Sequence, residues 1–344
     1  MPLLDGHDSA AVAEAAARWA AGELVAFPTE TVYGLGARAD DDAAVAAIFS
    51  AKGRPADHPL IVHVPDEAAA QAFAADWPPA ARALAHRFWP GPLTLIVPRR
   101  PGVAEAAAGG HPSIGLRCPD HPVAQALLRA AAARGVPGVA GPSANRFGRV
   151  SPTCAQHVAD EFGPGLWVVD GGACREGIES SIVDCTQAVP ALLRPGTTPR
   201  AVIETALQQD TGLALAHPGR GAAAAPGTLA SHYAPAAPVH LAEASALADC
   251  VRSALACERA DAQDASREAE RVAVVGVYSR SPLPPAAGLA QRVLPDDPAQ
   301  AAHELFAVLR RFDAEGVRQI WVETPPGHAA WDGVRDRLQR AATR

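Results

Sequence analysis

Lys52-Gly-Arg54-Pro55 places two cations one residue apart, between an amphipathic run and the apolar stretch Pro59-Leu-Ile-Val-His63-Val64. A helix over 41–51 that ends at Gly53 and is stopped by Pro55 puts both side chains on a loop at the rim of a sheet. Ligands are commonly held on such loops. A Lys-Arg pair there suits an anion with several oxygens, such as a phosphate chain or a carboxylate. The plain alternative is a solvated basic turn.

Other segments of the same half carry similar chemistry. Leu24-Val-Ala-Phe-Pro28 is a short apolar strand, followed by Thr29-Glu30-Thr31-Val32-Tyr33-Gly34-Leu35-Gly36. Its hydroxyls can donate to a ligand and its glycines let the backbone approach one. Further along come Ser113-Ile-Gly-Leu-Arg117, Gly141-Pro-Ser143-Ala-Asn145, Ser151-Pro-Thr, Asp170-Gly-Gly, Glu179-Ser180-Ser181-Ile-Val-Asp184 and Leu193-Arg194-Pro-Gly196. Gly34-Leu-Gly36 lacks the third glycine and the later acid of a dinucleotide turn. No G-x-x-x-x-G-K-[ST] occurs, so a P-loop does not hold any ATP. Gly141 to Asn145 is no nucleophile elbow, because its last position is Asn. His63, inside an apolar strand, reads by itself as a hydrogen-bonded core histidine.

The elements that must position these residues alternate. Strands are predicted at 24–27, 60–64, 93–97, 114–117, 138–140, 166–169, 182–185 and 191–194. Helices are predicted at 9–21, 41–51, 66–75, 79–88, 122–134, 153–162 and 199–207. Alternation alone points to a parallel α/β sheet. Residues 218–238, rich in Ala, Gly and Pro, read as a linker. Beyond it, strands at 239–242, 272–278, around 293 and at 320–323, with helices at 244–257, 298–311 and 331–341, make a small α/β module. Residues 257–271 are charged and read as an exposed connection.

The chain of 344 residues suits two domains. Hydrophobic content of 49% with 19% charged residues reads as a globular protein. No apolar run reaches a membrane span and no signal peptide is seen, so a cytoplasmic protein is expected. Six cysteines without a C-x-x-C pair read as free thiols. A formal net charge of −7 argues against a large nucleic-acid footprint and favours a small-molecule enzyme.

Taken in order, PTETVYGLG, AKGRP with PLIVHV, FWPGPLTLIV, GPSAN with SPT, DGG, ESSIVD and LRPG resemble the YrdC/Sua5 family of threonylcarbamoyl-AMP synthases. Ala225-Pro-Gly-Thr-Leu-Ala-Ser-His232-Tyr233-Ala-Pro235 resembles the linker of its two-domain form. The resemblance implies a YrdC-like α/β fold, a twisted mixed sheet with a concave, positively lined cavity, plus a smaller Rossmann-like C-terminal domain. It divides the chain into a catalytic domain over 9–207, a linker or lid over 208–237 and a C-terminal domain over 238–344.

By the same resemblance, Thr31, His63, Arg117, Gly141 and Ser180 bind L-threonine, Arg117 through its carboxylate. Lys52 and Arg54 act as the catalytic cations on the triphosphate. Arg54, His58, Ser113, Ser143, Ser151 and Arg194 bind ATP, and Tyr233 of the linker covers the nucleotide. Two departures stand out: His58 replaces the usual Asn, and Thr228-Leu-Ala-Ser231 replaces the family's basic residues. The implied reaction joins L-threonine, bicarbonate or CO2, and ATP into threonylcarbamoyl-AMP and pyrophosphate. Mg2+ is expected to accompany ATP, with Glu30 and Asp184 as candidate outer-sphere partners and no metal-ligand set in the protein. Downstream threonylcarbamoyl-transferase proteins acting on tRNA are the implied partners. The alternatives are a YrdC-like double-stranded-RNA-binding protein and a carbamoyl-transferase-related enzyme. The acidic charge disfavours the first, and missing acylphosphatase and zinc-finger segments disfavour the second.

Overall fold

The computed structural model describes residues 2–219, 221–229, 231–262 and 274–343. The chain separates into two compact units: 1–147 with 151–228, and 148–150 with 229–344. The first unit runs β1 (Leu3–Asp5), α1 (Ser9–Ala20), β2 (Val25–Phe27), β3 (Gly34–Arg38), α2 (Asp42–Lys52), β4 (Ile61–His63), α3 (Glu67–Gln71), α4 (Pro79–Phe88), β5 (Leu93–Pro98) and β6 (Ser113–Arg117). It continues with α5 (Pro122–Ala132), β7 (Val139–Ala140), α6 (Ala155–Phe162), β8 (Trp167–Asp170), β9 (Ser181–Asp184), β10 (Ala191–Arg194) and α7 (Arg200–Thr211). Among the described residues the strands form one sheet in the order β1-β8-β2-β3-β7-β4-β6-β5-β9-β10. The sheet is mixed: β1/β8, β8/β2, β4/β6 and β5/β9 are parallel, and the other neighbours are antiparallel.

Side chains of a strand alternate between the two sheet faces. Val25 and Phe27, Val139 and Val169 pack with α1 and α5 on one face. Ala26, Ala140 and Val168, one residue away in each strand, pack with α2, α4, α6 and α7 on the other. From β4 to β9 the first face changes character. Ile61, Ile96 and Ile182 form a small cluster there against Ala223 and Ala225. Period 2 then places His63 beside Ile61 and Thr94 beside Ile96 on that face. Ser113, Gly115 and Arg117 join them through the β4/β6 register.

The element predicted as a ligand loop, 29–36, divides in two. Only 29–33 is loop; Gly34 begins β3, antiparallel to β2. The glycines there make room for aromatic rings. A Cβ on Gly34 would meet Phe27 at 2.8 Å, and one on Gly36 would meet Trp19 at 2.8 Å. Trp19 Nε1 also donates to the Gly36 carbonyl at 3.1 Å. The helix predicted over 66–75 is shorter, Glu67–Gln71, because Phe73 turns into the core, fully buried. The strand β1 has no apolar run to announce it and forms by parallel pairing with β8.

The second unit holds β11 (Val239–Ala242), α8 (Ala244–Ala262), β12 (Val275–Ser279), β13 (Leu289–Val293), α9 (Pro298–Ala314), β14 (Gln319–Glu323) and α10 (Asp332–Ala342). Its described strands form an all-parallel sheet, β11-β14-β12-β13. The α8 helix carries regular structure into the predicted charged connection; the remainder of that connection, 263–271, lies outside the described residues.

Candidate functional site

Arg117 ends β6 and is 3% exposed. Its Nη1 donates to Thr31 Oγ1 at 2.9 Å and its Nε to the Gly91 carbonyl at 3.4 Å. Nη2 lies 2.7 Å from Glu30 Oε1, an ion pair without hydrogen-bond alignment. Thr31 Oγ1 also meets Thr29 Oγ1 at 2.9 Å, which fixes the loop between β2 and β3. His63 stands opposite Arg117 in the β4/β6 register. Burial, with Arg117 adding to it, pushes the His63 imidazole down to about 3, so it is neutral near pH 7. Its Nδ1 is buried without a partner. A Cβ at Gly141 would stand 3.0 Å from that nitrogen and 3.0 Å from Phe27, so this position must stay small.

Ser180 lies beside this group, just before β9. Its hydroxyl pairs with Thr94 Oγ1 at 2.8 Å and accepts from Arg194 Nη2 at 3.2 Å. Arg194 Nε and Nη2 also donate to the Ser180 carbonyl, and Nη1 donates to the Pro226 carbonyl. Arg194 therefore fixes both the serine and, at Pro226, a point within the predicted linker. Thr94, fully buried, was not singled out in the sequence. Its signal was a hydroxyl on the Ile96 face of an otherwise apolar strand.

Lys52 departs from the rim-loop expectation. It is the last residue of α2, 3% exposed, and Gly53 caps the helix in the left-handed region at φ 62. Its Nζ donates to the Ser143 carbonyl at 2.6 Å and to the Asn145 carbonyl. Burial, then the nearby Arg54 charge, holds its ammonium well below the usual lysine range. Lys52 thus shapes the 141–145 loop from beneath. Arg54 does sit on the following loop: Nη2 donates to the Pro59 carbonyl at 3.0 Å, and the guanidinium faces Phe147 at 5.8 Å. His58 leans on the same ring at 5.5 Å. Ser151 is buried with its hydroxyl on Glu179, a carboxylate that the sequence reading quoted without assigning it a role. Ser113 opens β6 on the Arg117 face.

Tyr233 belongs to the second unit. Its ring is buried there, stacked on Phe306 at 5.6 Å, with the Arg337 guanidinium 5.1 Å above it. Its backbone is left-handed at φ 61, uncommon for a non-glycine residue. Two of the sequence motifs are engaged in internal hydrogen bonds. Asp184 accepts from Thr186 and Ala223, which occupies both its oxygens. The Asp170-Gly-Gly turn is held by Tyr33, whose hydroxyl donates to the Gly172 carbonyl at 2.7 Å and accepts from Gly171 N at 3.2 Å. Among the described residues no three His, Cys, Asp or Glu side chains could hold a metal together, and no helix is long and apolar enough to cross a membrane.

Buried Arg117, with Thr31, His63, Thr94 and Ser180 around it, gathers cationic and hydroxyl groups at one face of a mixed α/β sheet, an arrangement suited to an anionic ligand. The Sua5/YciO/YrdC family, whose description reads "Telomere recombination", matches residues 17–196. The family described as "Threonylcarbamoyl-AMP synthase, C-terminal domain" matches residues 198–343. A threonylcarbamoyl-AMP synthase of Pyrococcus abyssi is 40% identical over 329 residues, 93% of this chain and 91% of its own. One from Bacillus subtilis is 38% identical over 342 residues, 96% of this chain and 92% of its own. The crystal structure of P. abyssi Sua5 complexed with L-threonine superposes with a TM-score of 0.82 at 35% identity, covering 99% of this chain and 97% of that one. The chain belongs to the Sua5/YciO/YrdC family, in its two-domain Sua5 form, and its first unit has the YrdC-like fold.

Proposed function

We propose that the protein is an L-threonylcarbamoyladenylate synthase, converting L-threonine, bicarbonate or CO2, and ATP into threonylcarbamoyl-AMP and pyrophosphate. The observation that carries this reading is the buried Arg117 fork, set by Thr31 and Gly91 beside neutral His63 and the Ser180 hydroxyl on one sheet face. A fixed guanidinium suits a carboxylate, and hydroxyl and imidazole groups suit the rest of a small hydroxy amino acid. Support comes from the L-threonine complex of P. abyssi Sua5 and from the name of the relatives.

In this mechanism the threonine amine captures CO2, and a carbamate oxygen attacks the α-phosphorus of ATP as pyrophosphate leaves. No protein nucleophile is needed, in keeping with the absence of a triad signature. Arg117, Thr31 and Ser180 hold the amino acid. Arg54 and the Ser143 hydroxyl take phosphate oxygens, Lys52 fixes the loop that presents Ser143, and Ser151 would join them by turning its hydroxyl proton from Glu179 to the phosphate. The protein's contribution is positioning and charge stabilisation. Mg2+ would arrive with the triphosphate and neutralise it; Asp184, with both oxygens engaged, does not fit as its partner. We place the reaction in the cytoplasm, upstream of threonylcarbamoyl transfer to adenosine 37 of tRNA. Pyrophosphate release with each substrate omitted in turn tests the assignment. Release should require all three, and equal release without threonine would overturn it.

A further inference from the structure

Glu30, in the loop between β2 and β3, is 1% exposed. Its backbone is tied down, since its carbonyl accepts from Glu176 N at 2.7 Å. Its side chain is poorly satisfied. Arg117 Nη2 faces one oxygen at 2.7 Å, and neither oxygen receives a hydrogen bond. The neighbouring hydroxyls offer nothing: Thr29 donates to the Val32 carbonyl, and Thr31 is taken up with Arg117 and Thr29. An ionised carboxylate can accept at about four lone-pair positions. Burying one with so few donors is costly unless a ligand supplies the rest. Arg117 is likewise incompletely engaged, with N–H groups left on Nη1 and Nη2 beyond those facing Thr31 and Glu30.

A buried plus-minus pair, unsaturated on both sides, is the complement of a zwitterion that carries its two charges on one carbon. We propose that Glu30 receives the α-ammonium of the amino-acid substrate while Arg117 takes its α-carboxylate. The proposal rests on the threonine reading above and adds a residue to it. A role for Glu30 as a direct ligand of a divalent cation lacks a ligand set: among the described residues it belongs to no group of three His, Cys, Asp or Glu side chains that could hold one. A role confined to orienting Arg117 would leave the second carboxylate oxygen without purpose.

The test compares L-threonine with 3-hydroxybutyrate, which keeps the carboxylate and hydroxyl but lacks the amine, on the full chain and on Glu30→Gln. Binding is read by calorimetry for threonine and by NMR titration for the weaker acid, with ATP titration as the check of folding. Glu30→Gln should lose threonine affinity by about tenfold or more, about 1.4 kcal/mol, and should bind 3-hydroxybutyrate as well as the unaltered protein does. Equal losses for both acids would show that Glu30 only orients Arg117 and would overturn the proposal, as would unchanged threonine affinity. Either result leaves the threonine reading standing. If the unaltered protein does not bind threonine at all, both fall. Should Glu30→Gln not fold, Glu30→Asp keeps the charge but retracts it by one methylene, and the same selective loss of threonine is expected.

Discussion

His63 should make the first unit acid-sensitive in a way that one substitution removes. Burial and the Arg117 charge hold its folded-state value near 3, against the ordinary 6.5. The folded value lies below the unfolded one, so the unfolded chain takes up the proton first. The contribution is therefore complete above pH 6.5 and is lost as the pH falls toward 3. Each pH unit in that window costs about 1.4 kcal/mol, or roughly 5 kcal/mol over the whole of it. At 3% exposure there is little solvent to screen this effect. His63→Gln keeps a polar side chain and removes the titration. Urea unfolding of the ligand-free protein, followed at the transition of the first unit from about pH 7 to about pH 4, measures the difference. The gap between the two proteins should shift in favour of the variant by about 3 kcal/mol between pH 6.5 and about pH 4. Parallel stability curves would refute the reasoning, since they would mean that His63 carries its proton alike in the folded and unfolded chains.

Three further outcomes are expected. Lys52→Met strands the Ser143 and Asn145 carbonyls in a buried place and should destabilise the first unit by about 2–4 kcal/mol. In calorimetric titrations it should weaken ATP more than threonine. Thr94→Val removes the hydroxyl paired with Ser180 and should lower threonine affinity several-fold at about 1 kcal/mol of stability, with ATP affinity unchanged in the same titrations. Gly36→Ala forces a methyl against Trp19 and should lower the midpoint of thermal unfolding by the equivalent of about 1–3 kcal/mol, without a selective effect on either ligand.

The positions of the site residues were legible wherever the strand period could be read. Leu60 to Val64 reads as a strand from its apolar run, whose period of 2 puts His63 on the face of Ile61, and the structure puts Arg117 and Ser113 on that face too. The mixed sheet was not legible from the alternation of helices and strands, because pairing direction depends on contacts far apart in sequence. β3 was hidden because its glycines read as turn residues. Only packing shows that they admit Phe27 and Trp19. Lys52 was misplaced for a related reason. A helix cap at Gly53 says where a helix stops, but not whether its last side chain points to solvent or under a neighbouring loop. Glu30, Thr94 and Glu179 gain their meaning from partners tens of residues away, which no local spacing announces.

The buried cations of this site are held before any ligand arrives. Lys52 is bound to two carbonyls, Arg194 to the Ser180 and Pro226 carbonyls, and Arg117 to Thr31, Gly91 and Glu30. A ligand entering such a site exchanges contacts rather than only adding them, so net affinity per contact is modest. The gain is fixed geometry. The reaction proposed above, between a carbamate and an α-phosphate, needs two anionic reactants held in line, and mutual repulsion opposes their approach. Long-range attraction cannot supply that order in a chain with a formal charge of −7. Local cations must do so, and cations free to move would lose their effect to reorganisation. Anchoring each one to backbone carbonyls or to a buried carboxylate keeps the charge in place while the chemistry moves past it. A net acidic charge and a buried basic site are therefore compatible in the proposed enzyme: local placement on the sheet face, not the overall charge, would set where the anions are held.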